Sequence, residues 1–111
     1  MGEPNKQDSS AQADIAARLA RIGFALPGTL IVRSHVCGKP RCRCMADPPR
    51  PHGPYAQWTR KIGGKTVTRR LSDEQMARYA AWFENAKTGR DLLAQLEAIS
   101  LRIAERDEDW T

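Results

Sequence analysis

A chain of 111 residues, 41% hydrophobic and 28% charged, has room for one small domain with helices appended and for only a modest core. That composition excludes a wholly disordered chain, and no apolar run is long enough to span a bilayer. Met1 to Ser10 has no apolar signal-peptide core, so the three cysteines are expected in a reducing, cytoplasmic setting. There an odd, clustered set points to metal or free thiols rather than to disulfides.

The net charge of +5 is unevenly distributed. Residues 1–29 balance, residues 72–111 are acidic, and residues 30–71 set ten cations against the single acid Asp47, a surplus of about nine. A block this one-sided attracts polyanions, with nucleic acid as the natural partner. The plainer reading is a basic face that keeps the protein soluble.

In chain order, residues 1–9 are expected to be disordered. Ile15, Leu19 and Ile22 recur at helical spacing and predict a short amphipathic helix over 10–24, capped by Ser9 or Ser10. Pro27-Gly28 forces a turn, and the β-branched run from Thr29 to about Val36 reads as a strand. Tyr55 to Leu71 alternates in period two on both sides of Gly63-Gly64, the pattern of a hairpin closed by a glycine turn. One face of its first strand carries Tyr55, Gln57, Thr59 and Lys61, the other Ala56, Trp58 and Arg60. Ser72-Asp73-Glu74-Gln75 is a capping box that opens a helical segment over 72–107. Met76, Tyr79, Ala80 and Phe83 form one apolar stripe on it; Leu92, Leu96, Ile99 and Ile103 form a second, out of phase with the first. Thr88-Gly89 separates the stripes, so the helix kinks near Gly89 or two helices meet there. Residues 108–111 make an acidic tail. The fold class is α+β: a short N-terminal helix, a small three-stranded antiparallel sheet spanning a basic module at 29–71, and a long C-terminal helix.

Between the first two strands, residues 37–54 hold three cysteines and five prolines, a composition that cannot form regular structure for long. Cys37, Cys42 and Cys44, with His52 beyond a proline-rich stretch, supply the four ligands of a structural tetrahedral zinc site, a Cys/His knuckle closed to further ligands. His35 competes with His52, because it shares a strand face with Cys37. Three reduced thiols packed as small hydrophobes are the bland alternative. Placing them among Lys39, Arg41, Arg43 and Arg50 favours zinc-bound thiolates, whose negative charge those cations offset. An iron–sulfur cluster is a minor alternative. No Ser–His–acid set is present, and the acids lie mainly outside the central module, so no enzymatic activity is expected beyond the chance of a thiol activated by its arginine neighbours.

The residues expected to meet nucleic acid are Arg33, Lys39, Arg41, Arg43, Arg60, Lys61, Lys65, Arg69 and Arg70, which neutralise phosphates and release counterions. An exposed aromatic among Tyr55 and Trp58 would stack on an unpaired base, but Trp58 suits the core beneath the long helix. The architecture alone is similar to that of the DNA-binding arms of some phage and transposon recombinases.

Leu26-Pro27-Gly28-Thr29, Cys37-Gly38-Lys39, Cys42-Arg43-Cys44, His52-Gly53-Pro54-Tyr55 and Gly64-Lys65-Thr66, followed by a long helix, resemble a family of small bacterial proteins whose domain is of unknown function. The resemblance runs along residues 26–105 and implies a bacterial origin and a shared site at Cys37, Cys42, Cys44 and His52. It implies no activity. Ala56 departs from the second aromatic expected after Tyr55.

The resulting expectation is a zinc-stabilised nucleic-acid-binding accessory protein, regulatory or associated with a mobile element. Its rival is a protein-interaction adaptor that forms a homodimer or binds a partner through Leu92, Leu96, Ile99 and Ile103. The same stripe would equally satisfy itself by packing on Ile15, Leu19 and Ile22 of the chain's own first helix.

Overall fold

The computed structural model describes residues 4–35 and 52–110, with the backbone alone for His35, His52 and Gly53. The order is α1 (Lys6–Ala20), β1 (Thr29–His35), β2 (His52–Ile62), β3 (Lys65–Leu71) and α2 (Asp73–Glu108). The chain divides into two compact units, Leu26–Phe83 and the pair of segments Met1–Ala25 and Glu84–Thr111.

The second of these is helical. α1 begins at Lys6, not near residue 10, because Asn5 caps it: the Asn5 carboxamide oxygen accepts from the Asp8 backbone N–H at 2.8 Å, and an Asp8 carboxylate oxygen accepts from the Asn5 N–H at 3.4 Å. A residue three positions beyond the cap that reaches back to it satisfies two otherwise orphaned donors. Helix therefore occupies residues 6–9, where disorder was expected. Ile15 is buried on α1 and Leu92 on α2, each 4% exposed. Near its start α1 contributes Asp8, which meets Arg102 at 3.5 Å and Arg106 at 3.3 Å; past its end, Ile22 lies beside Gly89. These contacts make the two helices antiparallel here. Leu96, Ile99 and Ile103 share a groove with Asp8 and Gln12 of α1, so the second apolar stripe faces the chain's own first helix. α2 passes through Thr88-Gly89 without interruption, as one helix of 36 residues.

Burial pushes the Asp8 carboxyl up, but the Asn5 backbone N–H and the guanidiniums of Arg106 and Arg102 outweigh it and hold the group below its ordinary value near 3.8. Carboxylates that accept hydrogen bonds from cations favour their charged form.

In the other unit the sheet is antiparallel, in the order β1-β2-β3. β2 and β3 join through Gly63 (φ 56°) and Gly64 (φ 82°), the two successive positive φ values that a type I′ hairpin turn requires. β2 begins at His52, three residues before the alternation at Tyr55 becomes visible in sequence. Its partners run Arg33↔Tyr55 and then His35↔His52, so β2 spends an additional residue around Gly53-Pro54. A bulge is where a central strand can hold a proline, which has no N–H for the ladder.

Ala56, Leu71 and Phe83 form the buried core of this unit, with Leu26, Leu30, Trp58, Met76 and Tyr79 packed against it. Fully burying a side chain the size of Phe83 contributes about 1.5–3 kcal/mol. The Trp58 ring meets Phe83 edge-on at 5.8 Å, and its indole N–H donates to the Pro27 carbonyl at 2.7 Å. Gly28 sits at φ 89°, and a Cβ there would collide with the Thr59 carbonyl oxygen and approach the Trp58 indole nitrogen to 2.9 Å. The turn before β1 therefore depends on glycine. The capping box of α2 is present: the Ser72 hydroxyl accepts from the Gln75 N–H at 3.1 Å, and the Gln75 side chain accepts from the Ser72 N–H at 2.9 Å.

Candidate nucleic-acid interface

Neighbouring residues along a strand point to opposite faces, and directly paired residues on adjacent strands share a face. The register therefore assigns every described strand residue to one side. Leu30↔Trp58↔Arg69 and Val32↔Ala56↔Leu71 lie on the side covered by α2, because Ala56, Trp58 and Leu71 pack with Phe83. Thr29↔Thr59↔Thr68, Ile31↔Gln57↔Arg70, Arg33↔Tyr55 and Lys61↔Thr66 lie on the other.

The cations singled out in the sequence divide between these sides. Arg33, Lys61 and Arg70 stand on the face turned away from α2, and all three are exposed. Arg60, Lys65 and Arg69 fall on the helix side. There the Arg60 guanidinium lies over the Trp58 ring, 4.2 Å from its centroid. Arg69 lines a cavity of about 290 Å³ walled by Trp58, Tyr79, Trp82 and Phe83. The hairpin cations thus do not make one surface; a strand that alternates must divide Arg69 from Arg70 and Arg60 from Lys61. Lys39, Arg41 and Arg43 lie outside the described residues.

The strands themselves place no acid on the face turned away from α2, since none of the three contains one. Arg33 is on one edge strand and Arg70 on the other, with Gln57 on the central strand between them. Arg70 is held by Tyr55, whose ring centroid is 3.7 Å from the guanidinium carbon; such stacking orients a cation without neutralising it. Thr59 and Thr68 share a hydrogen bond of 3.1 Å between their hydroxyls. Sequence reasoning placed Gln57 and Thr59 on one strand face with Tyr55 and Lys61 but gave them no role, and it did not join Ile31 and Thr68 to that face. Their signal was present in the alternation, but it acquires meaning only once β1 is in register with β2.

Cys37, Cys42 and Cys44 also lie outside the described residues. Among the described residues no group of three or more His, Cys, Asp or Glu is gathered to hold a metal ion. The backbone does place His35 and His52 as direct partners across β1 and β2, at the two ends of the segment that carries the cysteines.

A family described as a domain of unknown function, DUF6788, matches residues 7–81, more than half of the chain. The chain belongs to that family. The match takes in nearly all of α1, the whole sheet and the first part of α2, and it overlaps the motif resemblance at residues 26–105 along residues 26–81. No curated protein and no solved structure matches the chain. Among the described residues no helix is long and apolar enough to cross a membrane.

Proposed function

We propose that the protein is a nucleic-acid-binding accessory protein that meets its target through the face of the sheet turned away from α2. One observation carries the reading: the strand register gathers Arg33, Lys61 and Arg70 on a face with no acid, away from the helix that closes the core. Three phosphates neutralised together release counterions, so binding weakens steeply with salt. Lys39, Arg41 and Arg43 belong to the same basic block of the sequence.

The scaffold for that field is a zinc ion held by Cys37, Cys42 and Cys44 with His52. The donor set of the sequence suits tetrahedral zinc, and the pairing of His35 with His52 brings either imidazole-bearing backbone to the neck of the segment. Elemental analysis of untagged protein is expected to find about one zinc per chain, lost with folding in Cys42→Ser. Metal-free protein that folds unchanged removes the staple.

The decisive comparison reverses charge on one face at a time. Arg33→Glu, Lys61→Glu and Arg70→Glu combined is expected to abolish binding to short DNA and RNA oligonucleotides at low salt while far-ultraviolet circular dichroism is retained. Arg60→Glu with Arg69→Glu is expected to weaken it far less. Equal losses from the two sets, or no binding by the wild type to any oligonucleotide, defeats the proposal.

A further inference from the structure

We infer that the sheet face turned away from α2 takes duplex DNA in B form, with Gln57 reading a base edge in the major groove between phosphate contacts from Arg33 on one side and Arg70 on the other. The inference rests on the proposed nucleic-acid role and narrows it to one kind of target. Neighbouring strands lie about 4.8 Å apart, so three of them span about 10 Å between outer axes. A B-form major groove is about 12 Å wide. A sheet of that width seats its central strand over the groove floor and sets its edge strands against the two phosphate walls. The register puts the matching chemistry in each place. Gln57 lies on the central strand; Arg33 is on β1 and Arg70 on β3, at opposite edges.

Single strands are recognised by stacking bases on aromatic platforms. On this face the one aromatic of the three strands is Tyr55, and the Arg70 guanidinium already covers its ring at 3.7 Å. Trp58 is on the other side, engaged with Phe83 and the Pro27 carbonyl. An A-form RNA duplex offers a deep, narrow major groove that side chains do not reach. What remains is a polar face with a carboxamide at its centre, and a carboxamide can pair bidentately with the exposed edge of adenine. Ile31, beside Gln57 in the same cross-strand row and 41% exposed, offers an apolar surface suited to a thymine methyl group.

The test uses the full chain and fluorescence anisotropy against three probes of matched random sequence: DNA duplexes, the separated DNA strands and RNA duplexes. The DNA duplex is expected to bind tightest. Duplexes selected by the wild type from the random pool are then measured with Gln57→Ala. Loss of a bidentate base contact should erase roughly 5- to 150-fold of preference for the selected sequence over the pool. The slope of log affinity against log salt should not change. Lys61→Ala should instead weaken both probes alike and lower that slope by about one. Gln57→Glu, which keeps size and shape, is expected to exchange adenine for cytosine at one position of the selected site, because a carboxylate accepts from the cytosine amino group. Tighter binding to single strands or RNA duplexes, or a preference untouched by both Gln57 variants, overturns the inference while leaving the nucleic-acid role standing. Failure of all three probes to bind overturns both.

Discussion

The two compact units solve the problem of a small core by different means. Leu26–Phe83 has eleven cations and three acids and is held by a few buried apolar side chains under a sheet; the helical segments have seven cations and ten acids and close around Ile15 and Leu92 with a charged clasp at Asp8. In the helical unit, charge is spent on the fold itself, Asp8 being 5% exposed against two arginines. Among the described residues of the sheet unit, cations either stack on aromatics or stand in solvent, and the ion pairs all lie in the helical unit. Charge consumed by structure is unavailable to a partner; charge left unneutralised generates a field. The contrast therefore supports the proposal that places the interaction surface in the sheet unit.

The sharpest way to break that contrast is Gly28→Ala. An alanine at φ 89°, with its Cβ driven against the Thr59 carbonyl, is expected to destabilise the sheet unit by about 3 kcal/mol. In hydrogen exchange the strand amides should lose protection while those of α1 and of residues 92–103 keep theirs. Equal loss throughout would show that the units unfold as one. Gly89→Ala acts in the opposite direction and on the other unit. A Cβ there meets Ile22 at an ordinary 3.5 Å, so the gain in helix propensity of up to about 1 kcal/mol should survive as a higher midpoint in urea. A destabilised variant would mean that the two helices approach more closely at that point. The smallest effect is expected from acid. Because the folded Asp8 carboxyl lies below its ordinary 3.8, its contribution is present above that value and is lost as pH falls through the lowered one. Solvent screens the partners, since Arg102 and Arg106 are 65% and 43% exposed, so the loss is modest. A thermal midpoint of Asp8→Asn that declines in acid as steeply as the wild type would remove Asp8 from the account.

Much of the fold was readable from neighbouring residues. Gly63-Gly64 between alternating runs and Ser72 three residues before Gln75 are local devices, and each forms as its own residues require. The early start of α1 was missed although Asn5 and Asp8 have capping spacing, because the apolar period that draws attention begins only at Ile15. The early start of β2 was missed because Pro54 argues against a strand unless a partner accommodates a bulge, and that partner is distant in sequence.

What the chain settled by itself is therefore whatever depends on dihedral preference and short-range hydrogen bonding: the hairpin, the caps, the glycine at 28, the concentration of positive charge in residues 30–71 and the two apolar stripes of α2. Which side of the sheet that helix covers, and hence whether Arg69 or Arg70 shares its face with α2, is decided by packing. Alternation gives two equivalent faces, and only the burial of Ala56, Leu71 and Phe83 against one another makes them different. The same holds for Leu92: a stripe at helical spacing suits a second copy as well as α1, and proximity within one chain, reinforced by Asp8 on Arg102 and Arg106, selects α1.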